Sequence, residues 1–214
     1  MNAEDLARFL KANPQFFDQH PEILEQLHVP HPHGGRAIPL AERQTVQLRD
    51  KVRVLEGRLD ELIRFGGEND AISEKVHRLS VALAAARDFP ALAQSLYFHL
   101  REDFAVPHVV LRIWGKSVPA DFAEAAPVDD AQRRQAEAMG APACGPAIGN
   151  PFLGWFGEAA EHLRSLALVP LGQASVVGLL AMGSEDAKRF YPEMGTLYLR
   201  RIGELCAAGV TARL

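Results

Sequence analysis

Two nearly continuous apolar runs near the end of the chain constrain its fold more than any other feature. They cover residues 166–171 and 176–182, and the polar residues 172–175 separate them. Short apolar runs on either side of a turn predict a hairpin of two buried strands. Pro192 and Glu193 then predict a helix start. The apolar residues of that helix recur at helical spacing: Met194, Leu197, Tyr198, Ile202, Leu205 and Val210.

The residues from 88 onward supply the other parts of the same domain. The pattern predicts a helix from Pro90 to about Glu102, a strand over 108–114 and a short polar helix over 128–139. Residues 140–157 are rich in glycine, proline and aromatic residues, which favours short irregular strands and a loop. We therefore expect an α+β domain over 88–214, with an antiparallel sheet flanked by helices.

A long helix precedes this domain, over residues 39–87. Its apolar residues have the 4-3-4-3 spacing of a coiled coil over about three heptads: Leu48, Val52, Leu55, Leu59 and Leu62. Lys51 and Glu56 fall at g and e positions, which favours a parallel homodimer. An amphipathic helix that packs within one chain is the alternative.

Gly66 and Gly67 interrupt this spacing. The seam resumes at Ile72 with its register changed by three residues, and it continues through Val76, Leu79 and Leu83. Glycine weakens a helix, and a three-residue insertion overwinds a coiled coil. We expect a break or hinge near 66–67.

Residues 1–38 form a separate segment of short helices divided by Pro14 and Pro21. The loop that follows holds His28, His31 and His33. Three histidines could bind a metal, but acids lie outside the loop, so a rigid turn without metal is the stronger interpretation.

Charge and apolar content exclude several classes of function. The net charge of −4 gives no basic footprint for nucleic acid. No apolar run reaches the roughly 20 residues that span a bilayer, and the acidic N-terminus lacks a signal core. We expect a cytoplasmic protein that binds neither membrane nor nucleic acid, with Cys144 and Cys206 reduced.

Enzymatic motifs are also missing. Gly178 and Gly183 have the spacing of a phosphate-binding loop but lack its lysine, and there is no nucleophile elbow or H-E-x-x-H. We therefore expect no catalytic residue.

The order of elements from Pro90 onward resembles a GAF domain, through the segments 165–171 and 178–181. Nearly the whole chain resembles the bacterial domain-of-unknown-function family 484. The matching residues are Asn13-Pro14, Phe16-Phe17, Pro30-His31, Gly35, Glu42-Arg43-Gln44, Leu48-Arg49, Asn69, Cys144-Gly145, Phe156-Gly157, Gly178-Leu179-Leu180, Gly183-Ser184, Arg189-Phe190 and Met194-Gly195-Thr196.

This resemblance implies the fold and the order of its parts and brings no established activity. Our leading hypothesis is a GAF-like sensory or adaptor protein that is not an enzyme and that binds an unknown small molecule or partner protein. The GAF likeness implies a ligand site between the sheet and the variable loops, at Trp114, Cys144, Phe152, Trp155, Phe156 and Gly178. These aromatic residues could instead complete the core. Two alternatives stay open: a redox enzyme that uses Cys144, similar to a methionine sulfoxide reductase, and a pure interaction scaffold. The sequence identifies no cofactor.

Overall fold

The computed structural model describes residues 2–26, 28–29, 38–114, 118–119, 121–172 and 175–214. The chain divides into two compact units, Met1–Gly67 and Glu68–Leu214. None of the helices within the described ranges is long and apolar enough to cross a membrane.

Among its described residues, the first unit contains helices and one short strand pair. It contains α1 (Ala3–Ala12), α2 (Phe16–Gln19) and α3 (Pro21–Gln26). Strands β1 (His28–Val29) and β2 (Ile38–Pro39) pair antiparallel. Asn2 caps α1 by accepting a hydrogen bond from the Asp5 amide, which satisfies one of the free N–H groups of the first turn.

Helix α4 (Leu40–Ala85) is 46 residues long and begins in this unit. It continues without interruption through Gly66 and Gly67, so the helix itself is not broken there. A Cβ atom added at either glycine would meet nothing within 4 Å among the described residues. Close packing therefore does not require these glycines, and their role as a hinge stays a prediction.

The second unit is built on a four-stranded antiparallel sheet. Its strands are β3 (His108–Ile113), β4 (Ala143–Pro146), β5 (Ser165–Leu171) and β6 (Gly178–Ser184). Their order is β3-β6-β5-β4. Strands β5 and β6 form the hairpin that the two apolar runs predict, and nearly every residue in both is buried.

Helices cover both faces of this sheet. On one face lie α5 (Phe89–Glu102), α7 (Leu197–Thr211) and the last turns of α4. They enclose the helix-side core, whose fully buried residues include Leu79, Leu92, Leu96, Leu111 and Leu180. On the other face lie α6 (Asp130–Glu137) and a 3₁₀ helix (Leu153–Glu161). The predicted fold class, an α+β sheet flanked by helices and preceded by a long helix, is confirmed.

The C-terminal helix differs from its prediction at both its start and its buried face. Pro192 and Glu193 lie in a turn, because the Met194 amide donates to the Tyr191 carbonyl, 3.0 Å away. Proline suits the second position of such a turn as well as a helix start. Helix α7 begins only at Leu197, which is itself 57% exposed. The buried face is formed by Leu199, Ile202, Gly203, Cys206 and Val210.

Candidate functional site

Four of the residues expected at a ligand site lie together beside the sheet, opposite the helix-side core. We call Trp114, Phe152, Trp155 and Phe156 the aromatic cluster. Phe152 is fully buried, and its ring meets that of Trp155 edge to face at a centroid distance of 5.0 Å. Trp114 is 7% exposed. These rings pack against Leu168, Leu179 and Ala181 of the sheet, as core residues do.

The two indole N–H groups of this cluster have different surroundings. Trp155 Nε1 donates to Gln132 Oε1 at 3.0 Å, and Gln132 Nε2 donates in turn to the Pro151 carbonyl. Trp114 Nε1 is buried and has no acceptor among the described residues. A buried donor without a partner costs about 1–3 kcal/mol.

Cys144 and Gly178 lie apart from the aromatic cluster. Cys144 pairs with Ala167 across the sheet and packs against the helix-side core. Gly178 pairs with Ile113 and Leu171, which belong to that same core. A Cβ atom at Gly178 would lie 2.5 Å from the Arg112 carbonyl oxygen. This glycine therefore permits close approach of β3 and does not open a pocket.

Neither cysteine resembles an activated thiol. Burial raises the pKa of Cys144, and it raises the pKa of Cys206 to about 12. Desolvation disfavours the thiolate, which is the nucleophilic form. Both thiols therefore stay protonated at neutral pH.

One histidine has an acidic partner that the sequence analysis missed. His99 Nδ1 lies 2.6 Å from Asp103 Oδ2, and Arg78 Nη2 donates to the other oxygen at 2.9 Å. The hydrogen bonds from His99 and then Arg78 hold the pKa of Asp103 below its usual range. No hydroxyl or thiol within the described ranges hydrogen-bonds to His99, so the triad joins α4 to the end of α5 without a nucleophile.

A cavity lies beside α7, where the sequence analysis placed no site. It measures about 420 Å³ and lies between α7 and residues 139–142. We call it the α7 cavity. Arg200 and Glu204 of α7 line it together with Met139 and Pro170. The sequence feature that could have indicated this site is the pair Arg200 and Glu204, two charged residues between the buried positions of α7.

Helix α7 also holds the second half of α4. The Tyr198 hydroxyl donates to the Asn69 carbonyl and lies 2.9 Å from Ser73 Oγ. Arg213 donates to the carbonyls of Leu83, in the last turn of α4, and of Ala86, directly after the helix. Such bonds satisfy carbonyls that a helix end leaves without partners. We call Tyr198 and Arg213 the α7 clamp.

The predicted dimer seam lies on the surface of the first unit. Each of its residues is at least half exposed: Leu48, Val52, Leu55, Leu59 and Leu62. Val76, Leu79 and Leu83, by contrast, are buried in the helix-side core of their own chain. The later apolar residues are therefore not free to extend the seam to residue 83.

The histidine loop gives no test of the metal interpretation. His31 and His33 lie outside the described residues, and so does the side chain of His28. In the part of the chain that the structure describes, no group of three metal-binding side chains occurs.

Comparison with known proteins gives a family and relatives without an assigned activity. The sequence pattern of a family described as "Protein of unknown function, DUF484" matches residues 1–211. "Uncharacterized protein YigA" of Salmonella typhimurium LT2 is 24% identical over 201 residues, which are 91% of this chain and 84% of that protein. YigA of Shigella flexneri and of Escherichia coli K12 are each 25% identical over the same shares. The crystal structure of the A. aeolicus Nlh2 GAF domain in an inactive state is 14% identical, with a TM-score of 0.44, and covers 68% of this chain and 99% of its own.

Proposed function

The chain belongs to the DUF484 family of proteins of unknown function, and we propose that it is a cytoplasmic, non-enzymatic sensory or adaptor protein. It dimerises through the first half of α4. Its α+β unit binds a small molecule or a partner protein and passes the signal along the same helix.

The exposed seam on α4 is the observation that carries this proposal. Five apolar side chains at 4-3-4-3 spacing are between 50% and 67% exposed in a single chain. Burying such a side chain completely stabilises by about 1.5–3 kcal/mol. A second copy of the same helix presents the same spacing, so knobs-into-holes packing would cover both seams.

The charges beside the seam favour a parallel pair. Lys51 and Glu56 would face each other across a parallel dimer, whereas Lys51 and Arg58 would meet in an antiparallel one. Each exposed pair contributes only about 0.3–0.5 kcal/mol, so these charges influence orientation more than affinity.

The α7 clamp supports a route for the signal. Tyr198 bonds α4 at Asn69 and Ser73, and Arg213 bonds it at Leu83, so the nearest of these points lie about ten residues, or nearly three turns, apart. Val76 and Leu79 are buried between them. A shift of α7 would therefore have to move α4 or break these bonds.

The two alternatives have less support. The redox enzyme needs a reactive Cys144, and burial raises the pKa of that thiol. The pure scaffold gains from Phe152, which fills the space where a ligand was expected. The α7 cavity, however, leaves a second place for a ligand.

Sedimentation velocity tests dimerisation. Leu55→Asp with Leu59→Asp places unpaired charges in the seam and should convert a dimer into a monomer. Val54→Asp is the matched control, because Val54 is 55% exposed on the same helix but lies outside the seam. The control should remain a dimer. A wild-type chain that sediments as a monomer at micromolar concentration would contradict the proposal.

Disulfide formation tests the orientation. Val52→Cys places a thiol at an a position, where the two copies meet in a parallel pair. Mild oxidation should then join the chains, whereas an antiparallel pair would leave them separate.

A further inference from the structure

The α7 cavity has the size and lining of a small-molecule site. Its volume of about 420 Å³ lies in the range of known ligand pockets. Most of its wall is aliphatic or small: Met139, Ala141, Pro142, Pro170 and Ala207. This wall suits a compact apolar group and gives it no specific hydrogen bond.

Arg200 is the one positively charged side chain among the described residues that line this cavity. Its backbone amide donates to the Thr196 carbonyl, but its guanidinium has no acceptor or ion-pair partner within the described ranges. A guanidinium binds a carboxylate through two parallel hydrogen bonds. Arg200 is therefore available to a negatively charged group on a ligand.

The other charged residue of the cavity limits the charge that a ligand can carry. Glu204 lies one turn after Arg200 on the same side of α7, and it already has an interaction within the chain. It therefore adds a negative charge to the wall and is not open to a cationic ligand group. A phosphate monoester carries a charge of about −1.5 to −2, which Arg200 alone would not neutralise. A carboxylate carries a single negative charge and is the better match.

Close packing holds the helix that carries Arg200 against the sheet. A Cβ atom at Gly203 would lie 2.6 Å from Val169 Cγ1, so a larger residue there would push Val169 or α7 away. Gly172, which also lines the cavity, adopts a φ of 110°, and a Cβ atom there would lie 2.2 Å from the Ser175 carbonyl oxygen. Glycine is the residue that tolerates both constraints.

We propose that the α7 cavity binds a monocarboxylate with a short apolar tail. The carboxylate accepts hydrogen bonds from Arg200, and the tail contacts Met139 and Pro170. This inference rests on the proposed sensory function and names the class of its ligand. The α7 clamp lies on the same helix as Arg200, so occupancy of the cavity acts on the helix that holds α4.

Methionine methyl NMR of the full chain tests this binding. Met139 lines the cavity, whereas Met182 is buried in the helix-side core and serves as an internal control. The probes are hexanoate, 1-hexanol, which has the same tail without the charge, and hexanedioate, which has a second carboxylate. At millimolar concentration hexanoate should shift the Met139 signal and leave Met182 unchanged.

The other two probes should bind more weakly than hexanoate. Because Arg200 is exposed, water screens its pairing with a carboxylate, and loss of that pairing should weaken binding of 1-hexanol by roughly fivefold. The far carboxylate of hexanedioate would lie against the apolar wall, where no second cation is found among the described lining residues. Hexanedioate should therefore also bind less tightly than hexanoate.

Substitutions on α7 assign the role of the guanidinium. Arg200→Gln should weaken hexanoate binding by roughly fivefold and leave 1-hexanol binding unchanged. Arg200→Lys keeps the charge without the two parallel hydrogen bonds and should give an intermediate affinity. Arg201→Gln is the matched control, since Arg201 lies over the Tyr198 ring and does not line the cavity. It should bind hexanoate as the wild type does.

Three outcomes would overturn the proposal. They are no Met139 shift with hexanoate, equal hexanoate binding by the Arg200→Gln and Arg201→Gln variants, and equal affinity of the wild type for hexanoate and either of the other probes. The described cavity residues lie between 139 and 207, so the Leu55→Asp and Leu59→Asp double variant should bind hexanoate normally. Failure of dimerisation and failure of ligand binding are therefore separate results.

Discussion

Phe152 and Cys206 show how completely single side chains are enclosed in the second unit. Phe152 is fully buried in the aromatic cluster, and Cys206 is fully buried in the helix-side core. Because neither side chain reaches solvent, each should contribute to the free energy of unfolding. That contribution can be measured without a ligand. Ile148, by contrast, is 77% exposed in the loop after β4.

Truncation of Phe152 tests the packing of the aromatic cluster. Phe152→Ala removes a buried ring and leaves a cavity, and we expect a loss of about 3–5 kcal/mol in the free energy of unfolding. Ile148→Ala is the exposed control and should change it by no more than about 0.5 kcal/mol. Urea denaturation measures both. A small loss for Phe152→Ala would mean that the cluster is an open pocket wall.

Alkaline pH tests the environment of Cys206. Burial raises its pKa from 9.0 to about 12, so the folded chain keeps this proton after the unfolded chain has lost it. The stability that the neutral thiol provides is complete below pH 9.0 and is lost as pH rises toward 12. The slope is about 1.4 kcal/mol per pH unit.

Cys206→Ala supplies the comparison for this slope. This variant should be less stable than the wild type at neutral pH. Its free energy of unfolding should fall less steeply at alkaline pH, because it lacks the buried thiol. Urea denaturation between neutral pH and about pH 10.5 gives the difference between the two chains. Parallel curves would show that Cys206 is exposed to solvent.

Helix α4 changes its surroundings along its length. Leu55 and Leu59 are exposed in the first unit, and Val76 and Leu79 are buried in the second. The same apolar spacing is compatible with either environment, because a coiled-coil seam and an intrachain core both need one apolar stripe. The sequence therefore predicted the helix and its stripe, whereas only the tertiary structure shows where the stripe is covered.

Substitutions at Gly66 and Gly67 test whether a hinge separates these two parts of α4. Replacing both with alanine should raise helix stability by about 1 kcal/mol each, because neither added Cβ meets a neighbour among the described residues. Circular dichroism and thermal unfolding measure this gain. If the residues form a hinge, the double variant should also weaken any effect of a cavity ligand on α4. Loss of dimerisation in this variant would show that the glycines are needed for packing between helices.

At the scale of the whole molecule, the two units differ in how much they bury. None of the described side chains in Met1–Gly67 is buried, whereas Glu68–Leu214 contains the helix-side core and the aromatic cluster. A helical segment with so little internal burial gains stability mainly from packing against a partner.

Urea unfolding should therefore occur in two stages. The first should depend on protein concentration, because dissociation of the dimer releases the first unit. The second stage should not depend on protein concentration. The Leu55→Asp and Leu59→Asp double variant should lose only the first stage. A single transition that is independent of concentration would show that the two units unfold together as one monomer.

The sequence predicted the sheet better than the site, and particular residues explain why. The runs 166–171 and 176–182 predict β5 and β6 because fully buried strands need almost no polar positions. The aromatic residues look alike as core or pocket wall, because both environments are apolar. Arg200 and Glu204 look like ordinary surface charges until the fold brings residues 139–142 beside them.

The buried end of α4 has a consequence for modularity. Val76, Leu79 and Leu83 lie before the boundary at residue 88 that the sequence suggests for the GAF-like domain, yet they complete its core. A fragment that begins at Asp88 would lose these side chains and the carbonyls that Arg213 binds. Recombination during evolution could therefore transfer this domain intact only together with the helix that leads into it.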